Sequence, residues 1–270
     1  MSTGLEAYKG KLAIVTGAGD GIGEMLARQF ADAGMTVGVQ DIRADAAERV
    51  ASEIGGGAFP VVFDVSDRQA TLESAEAVKA RGPLSLLWIN AGVGVGSPIL
   101  TGKANAIEWG FDVNVRGVIW TAQAFVPLMS DATGPRHVGL TASTAALRHP
   151  EGAFPLYATT KHATFAVGEA LRGELGTQGI ETTILCPGLL NTKIWDGAKA
   201  RPDRFGGVRH MDPSMSKMWD EAKTPDVMWP HIERVIGDGG GYLVCATDNG
   251  DTKSAYQART TQIADSIVEV

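Results

Sequence analysis

The stretch Leu12-Ala13-Ile14-Val15-Thr16-Gly17-Ala18-Gly19-Asp20-Gly21-Ile22-Gly23 decides the fold. Its first four residues form an apolar run of the kind found in strands covered on both faces. Glycines at 17, 21 and 23 follow at once, and beyond them Met25, Leu26 and Phe30 fall at helical spacing over residues 24–33, with Gly34 as a stop. Absent side chains let the backbone turn sharply and approach a pyrophosphate, whose charge the N-terminus of the following helix stabilises. The spacing Gly-x-x-x-Gly-x-Gly is not the widespread Gly-x-Gly-x-x-Gly, so the position between a strand and an amphipathic helix makes this a dinucleotide loop.

Working outward, Thr36 to Gln40 reads as a second strand and Ala44 to Ile54 as a second helix closed by three glycines, which completes a βαβ unit. Strand-like runs recur at 59–63, 84–89, 137–140, 180–185 and 242–246, with helical patterns between them. Gly239-Gly240-Gly241 reads as a turn before the last run. The expectation is an α/β chain of one domain, a doubly wound parallel sheet of about seven strands with helices on both faces. Residues 189–224 break the rhythm. They carry Trp195, Phe205, Met211, Met215, Met218 and Trp219 among Pro, Gly and charged residues, and they read as an ordered lid. A tail at 251–270 reads as a helix from Lys253, with Ala255, Ile263, Ile267 and Val268 apolar, suited to cover an active site or a partner subunit.

Bulk properties exclude several function classes. The 270 residues carry a formal net charge of −7, so no basic surface for nucleic acid is expected. No apolar stretch approaches the ~18 residues of a membrane span, and the first nine residues lack a signal-like core, so the expected location is cytoplasmic. Cys186 and Cys245 sit inside strand-like runs as small hydrophobes. His149, His162, His210 and His231 show no metal-ligand spacing and read as surface or lid residues, so no metal is expected. Neither paired carboxylates of glycosidase type nor Gly-x-Ser-x-Gly is present.

Asp41 falls directly after the second strand, eighteen residues past Gly23, where a carboxylate can accept hydrogen bonds from an adenosine ribose and repel a 2′-phosphate. With Asp20 adding negative charge and only Arg43 nearby to favour phosphate, NAD is preferred to NADP. Further along, Tyr157 and Lys161 stand four residues apart, which places phenol and ammonium one turn apart on one face of a helix over 156–176. An adjacent cation stabilises a phenolate, and such a pair can move a proton.

These motifs, in this order, resemble the classical short-chain dehydrogenase/reductase family, with its single-domain Rossmann fold, over residues 9–190. Thr16 to Gly23 matches the family's glycine loop, including Asp20 and Ile22. Asp64-Val65 matches the pair that contacts adenine, Asn90-Ala91-Gly92 the turn after the fourth strand, and Pro187-Gly188 with Thr192 the segment along the nicotinamide. Asn114, Ser143, Tyr157 and Lys161 match the catalytic tetrad, with Thr144 an alternative hydroxyl to Ser143. Ile89 replaces a usual asparagine, and the common Val-Asp-Gly-Gly ending is missing. The resemblance implies that Tyr157 exchanges the substrate proton, working near neutral pH only if Lys161 and the positive nicotinamide depress its pKa. It further implies that Lys161 holds the nicotinamide ribose, Ser143 binds the substrate oxygen and Asn114 holds a proton-relay water.

The segments Asn191 to Ile194 and Arg201 to Gly206 look like bacterial family members that oxidise bulky aryl carbinols from lignin. With Trp195, Met215 and Trp219 as candidate substrate walls, and Trp229 as a further one, the expected substrate is a hydrophobic, aryl-bearing secondary alcohol or its ketone. Alternatives are another bulky ketone, alicyclic or steroid-like, epimerase or dehydratase chemistry, or a dinucleotide sensor without turnover. The family resemblance also implies a homodimer or homotetramer packed through residues 104–130 and 156–176, where Ala158, Thr160, Ala163, Phe165 and Ala166 suit close helix contact.

Overall fold

The computed structural model of the protein describes residues 4–150, 154–210, 216–248 and 250–268. Its strands are β1 (Leu12–Thr16), β2 (Thr36–Asp41), β3 (Phe59–Val62), β4 (Leu84–Ile89), β5 (His137–Thr141), β6 (Glu181–Pro187) and β7 (Gly240–Cys245). They form a seven-stranded sheet in the order β3-β2-β1-β4-β5-β6-β7, and every neighbouring pair is parallel. The chain order reverses between β1 and β4, and the crevice beyond their C-terminal ends is where a doubly wound sheet offers a ligand site.

The helices are α1 (Gly21–Asp32), α2 (Ala44–Ile54), α3 (Arg68–Lys79), α4 (Ala104–Phe111), α5 (Gly117–Phe125), α6 (Pro155–Gly176), α7 (Lys217–Asp220), α8 (Trp229–Gly237) and α9 (Asp251–Asp265). Alternation along the strands divides the apolar residues between two cores. Ala13, Val15, Leu86 and Trp88 pack with Phe30 of α1, Val50 of α2 and Ile232 of α8. On the other face, Ile14, Leu87, Val138 and Leu140 pack with Val78 of α3, Trp109 of α4, Phe125 of α5 and Leu156 of α6. Continuously apolar strands thus follow from the need to cover both faces.

Three boundaries and placements differ from the sequence reading. Helix α1 begins at Gly21, because its first turn carries glycines and no apolar periodicity to reveal it. Strand β7 begins at Gly240, so two of the three expected turn glycines lie in the sheet, paired with Thr182 and Thr183. A Cβ on Gly240 would lie 2.5 Å from the Thr182 carbonyl oxygen, which explains the glycine. Helix α9 starts at Asp251, and Thr252 is its buried residue, while Ile263, Ile267 and Val268 stand exposed on this chain. Among the described residues, no helix is long and apolar enough to cross a membrane.

Candidate active site

The glycine loop leaves β1 under Thr16, whose hydroxyl accepts the backbone N–H groups of Asn90 (2.9 Å) and Ala91 (3.1 Å) at the end of β4. Asn90 returns the tie by donating its amide to the Thr16 carbonyl at 3.1 Å. Close approach dictates the glycines. A Cβ on Gly23 would lie 2.1 Å from the Gly17 carbonyl oxygen, and Gly21 has φ +56° beside Thr192. Gln40, a buried polar residue in β2, accepts from the Gly17 N–H at 3.0 Å and donates to the Phe63 carbonyl at 2.6 Å. The carboxylate of Asp41 accepts from the Gly19 N–H at 3.0 Å and from the N–H and Nε of Arg43 at 2.9 and 3.2 Å.

This loop forms one end of a cavity of about 550 Å³ at the C-terminal edge of the sheet. Gly17, Asp20, Gly21, Ile22 and Asp41 line it, as do Asp64, Val65, Asn90, Ala91 and Gly92. Pro187, Gly188 and Thr192 line the facing wall. Gly23 is displaced behind Gly17, where it makes room for the helix start. A side-chain-free cradle at a helix N-terminus, with a carboxylate beside it, fits a dinucleotide pyrophosphate and an adenosine ribose. Asp64 is more constrained than its motif suggests. Its Oδ1 accepts from the Ser66 N–H and hydroxyl at 2.9 and 2.6 Å, and its Oδ2 pairs with Arg204 at 2.7 Å.

At the other end, Ser143, Tyr157 and Lys161 line the same cavity. Ser143 follows β5 and accepts the Ala145 N–H at 3.1 Å, and it lines the cavity together with Tyr157. Lys161, one turn beyond Tyr157 on α6, donates to the Thr141 carbonyl at 3.1 Å, with its Nζ 5.9 Å from the Tyr157 ring centre. Thr144 lines the cavity as well, and Ser143 is the one whose side chain lowers the proton affinity of the Tyr157 phenol.

Asn114 stands apart from the cavity wall, fully buried in a π-helical turn (Asp112–Arg116) between α4 and α5. Its amide donates to the Val93 carbonyl and the Thr160 hydroxyl, each at 3.0 Å, and its Oδ1 accepts the Val93 N–H at 2.8 Å. Both amide protons are therefore used in holding the turn after β4 against α6. A Cβ on Gly92 would lie 3.3 Å from both Asn114 Oδ1 and Lys161 Nζ, so these two groups flank one glycine.

Burial pushes the Tyr157 phenol up to about 12, against the lowering pull of Ser143. The same burial brings Lys161 down to about 8. In the protein alone, desolvation of the charged forms therefore outweighs the phenolate stabilisation that the i, i+4 spacing suggests.

The described parts of the segment 189–224 form short turns at Ile194–Ala200 and Asp203–Phe205 and then α7, and Leu190, Thr192, Ile194, Trp195 and Trp219 among them line the cavity. Asn191 ties its two ends together by donating its N–H to the Lys223 carbonyl at 2.8 Å and its amide to the Asp220 carbonyl at 3.2 Å. Trp195 and Trp219 line the cavity, the latter edge-on to Phe154 with ring centres 6.4 Å apart. Met211 and Met215 lie outside the described residues. Two aromatics fall elsewhere. Phe205 belongs to the α4–α6 core, and Trp229 packs edge-on against Phe30 at 5.7 Å.

Ala158 and Thr160 are interior residues rather than surface ones, while Ala163, Phe165 and Ala166 keep some exposure. His149 lines the cavity, and His162 is half-buried on α6, where its Nδ1 bonds the Ala158 carbonyl at 2.8 Å. Sequence reading missed Gln40, Arg148 and Arg204. A polar residue in an apolar strand was a signal for Gln40; the two arginines had none.

Residues 11–203 match the short chain dehydrogenase family profile. A 1-deoxy-11-beta-hydroxypentalenate dehydrogenase of Streptomyces avermitilis is 33% identical over 215 residues, which cover 77% of this chain and 79% of that protein. The C alpha-dehydrogenase of Sphingobium sp. is 27% identical over 251 residues, 89% of this chain and 82% of that one. A short chain dehydrogenase/reductase from Burkholderia phymatum, solved in complex with NAD, superposes with a TM-score of 0.85 at 26% identity over 98% of each chain. The fold, the ordered motifs and these similarities together establish that the chain belongs to the short-chain dehydrogenase/reductase family of oxidoreductases.

Proposed function

We propose that the protein interconverts a hydrophobic, aryl-bearing secondary alcohol and its ketone with NAD, Tyr157 acting as general acid and base. The observation that carries this reading is the convergence of Ser143, Tyr157 and Lys161 on one cavity whose far end is the glycine cradle beside Asp41. When bound, the dinucleotide supplies the hydride acceptor and a positively charged ring. Gly17, Gly21 and the start of α1 hold the pyrophosphate, Asp41 the adenosine ribose, and Lys161 the second ribose. Ser143 fixes the substrate oxygen within reach of Tyr157, whose Oη takes the hydroxyl proton in oxidation and returns it in reduction. Asn114 acts as a positioning residue, because its amide clamps the Val93 turn to α6.

NAD is favoured over NADP by the buried carboxylate of Asp41, and by Arg43 already being engaged with it. Trp195, Trp219, Phe154 and Trp109 give the substrate side an aromatic lining, which supports an aryl substrate. The Streptomyces relative, named for a hydroxypentalenate, supports a second reading, a bulky alicyclic or steroid-like alcohol or ketone. Assembly as a homodimer or homotetramer in the cytoplasm completes the proposal. The test is a panel of aryl and alicyclic secondary alcohols with NAD, read by absorbance of the reduced cofactor. Turnover of aryl alcohols is expected. Tight NAD binding with no reduction by any alcohol would make the chain a dinucleotide sensor instead.

A further inference from the structure

Apart from Lys161, which donates to the Thr141 carbonyl, the cationic side chains of the cavity wall are each paired with a carboxylate. Lys193 lies 3.5 Å from Asp20, Lys199 lies 2.5 Å from Asp196, and Arg43 lies 3.2 Å from Asp41. Arg148, five residues past Ser143 on the substrate side, is also a lining residue, and its partner comes from a distant part of the chain. It forms an ion pair with Asp248, between β7 and α9.

Thr252 completes the contact. Arg148 donates to the Thr252 hydroxyl from Nε at 3.2 Å and from Nη2 at 2.6 Å. That hydroxyl donates onward to Asp248 Oδ2 at 2.5 Å, and the Thr252 N–H donates to Oδ1 at 3.2 Å. Thr252 is 2% exposed in a helix whose later residues mostly face outward, so this network is what anchors the first turn of α9 to the cavity.

Resting on the reading of this cavity as an alcohol or ketone site, we infer that Asp248 is a specificity-determining residue, which neutralises Arg148 so that this wall admits neutral ligands and the guanidinium is not free to bind an anionic one. A carboxylate entering this space loses hydration, and a guanidinium already paired and hydrogen-bonded cannot replace it. A neutral aryl group loses nothing of that kind and gains from the apolar wall. Without the Asp248 charge, the same guanidinium becomes a carboxylate site at the cavity wall.

The experiment compares kcat/KM for methyl 4-(1-hydroxyethyl)benzoate and for 4-(1-hydroxyethyl)benzoate, together with the corresponding biphenyl pair, which reaches further. In Asp248→Asn, which keeps the shape and one acceptor oxygen, the acid-to-ester ratio should rise by about tenfold or more for at least one pair. Arg148→Gln should move the ratio the other way, because the Asp248 charge is then unpaired, and adding it to Asp248→Asn should return the ratio near the wild-type value. A merely structural role would change both substrates together. Ratios within about twofold of wild type in both single variants would overturn the inference. If the wild-type protein oxidises none of the four alcohols, the proposed substrate reading fails. The inference is then decided by quenching of the cavity tryptophans with biphenyl-4-carboxylate against its amide, where tighter binding of the acid by Asp248→Asn supports it and equal binding refutes it.

Discussion

Asp41→Asn is expected to turn cofactor preference toward NADP. Asparagine retains an oxygen for the Gly19 N–H, now at 3.0 Å from the carboxylate, so the glycine loop keeps its tie to β2. The charge is lost together with the acceptor that Oδ1 gives to Arg43, and two effects then add. A carboxylate about 5 Å from a 2′-phosphate charge repels it by roughly 3 kcal/mol at an effective dielectric near 20, and the neighbouring Arg43 offsets about half of that. The second effect is release of Arg43, which now spends its Nε on Asp41 and is 41% exposed at its side chain. Pairing with the phosphate in so exposed a place contributes about 0.2–1 kcal/mol. Together they give about 1.7–2.5 kcal/mol, a change of roughly 20- to 70-fold in the ratio of kcat/KM for NADP over NAD. Initial rates with both cofactors at one alcohol concentration measure this directly. Added salt should shrink the change, since the exposed part of the interaction is screened. A ratio that moves less than about threefold would refute the assignment of Asp41 to the ribose.

Three further outcomes are expected. Tyr157→Phe should lower kcat by about 10²–10⁴ while the NAD dissociation constant, followed by fluorescence, stays within about twofold. Trp219→Ala removes the edge contact with Phe154, so kcat/KM for two-ring alcohols should fall by about tenfold while single-ring alcohols change little; unchanged selectivity would remove Trp219 from the substrate wall. His137, fully buried in β5 with Nε2 2.9 Å from the Thr183 hydroxyl, is held down to about 4 by burial. The unfolded chain therefore binds the extra proton first, and stability present above pH ~6.5 should be lost as pH falls toward 4, by about 3 kcal/mol. Urea titrations of His137→Gln, compared with wild type across that window, should show a flatter pH dependence.

What the sequence discloses and what it conceals follow from one physical distinction. Apolar periodicity is imposed by covering both faces of the sheet, so all seven strands were readable within a residue or two, and the errors fell at Gly21 and Gly240, where glycine carries no pattern. The candidate site residues gather in one cavity because a doubly wound sheet brings the ends of successive strands together, so motif order along the chain becomes proximity in space. Pairing of charged side chains has no such rule. Asp64 meets Arg204 and Arg148 meets Asp248 across long stretches of chain, and nothing near any of the four announces its partner. Phe205 and Trp229 show the same ambiguity for apolar groups, since a core and a ligand wall make identical demands on an aromatic ring.

The Tyr157 and Lys161 pair marks where the distinction bears on chemistry. Spacing places the ammonium near the phenol, but burial acts on both, raising one to about 12 and lowering the other to about 8. At neutral pH Lys161 therefore still carries its charge, and the phenol stays a proton donor until more positive charge arrives. Under the proposed mechanism, Tyr157 would protonate a ketone in the protein as it stands, whereas accepting an alcohol proton would require the cationic ring of an oxidised dinucleotide beside it. If so, binding of oxidised cofactor should lower the apparent pKa of Tyr157, and binding of reduced cofactor should not. Ultraviolet difference titration of phenolate absorbance, with Tyr157→Phe subtracted, reads that difference; equal pKa values in the two complexes would show that Lys161 and Ser143 alone set the proton affinity of the phenol.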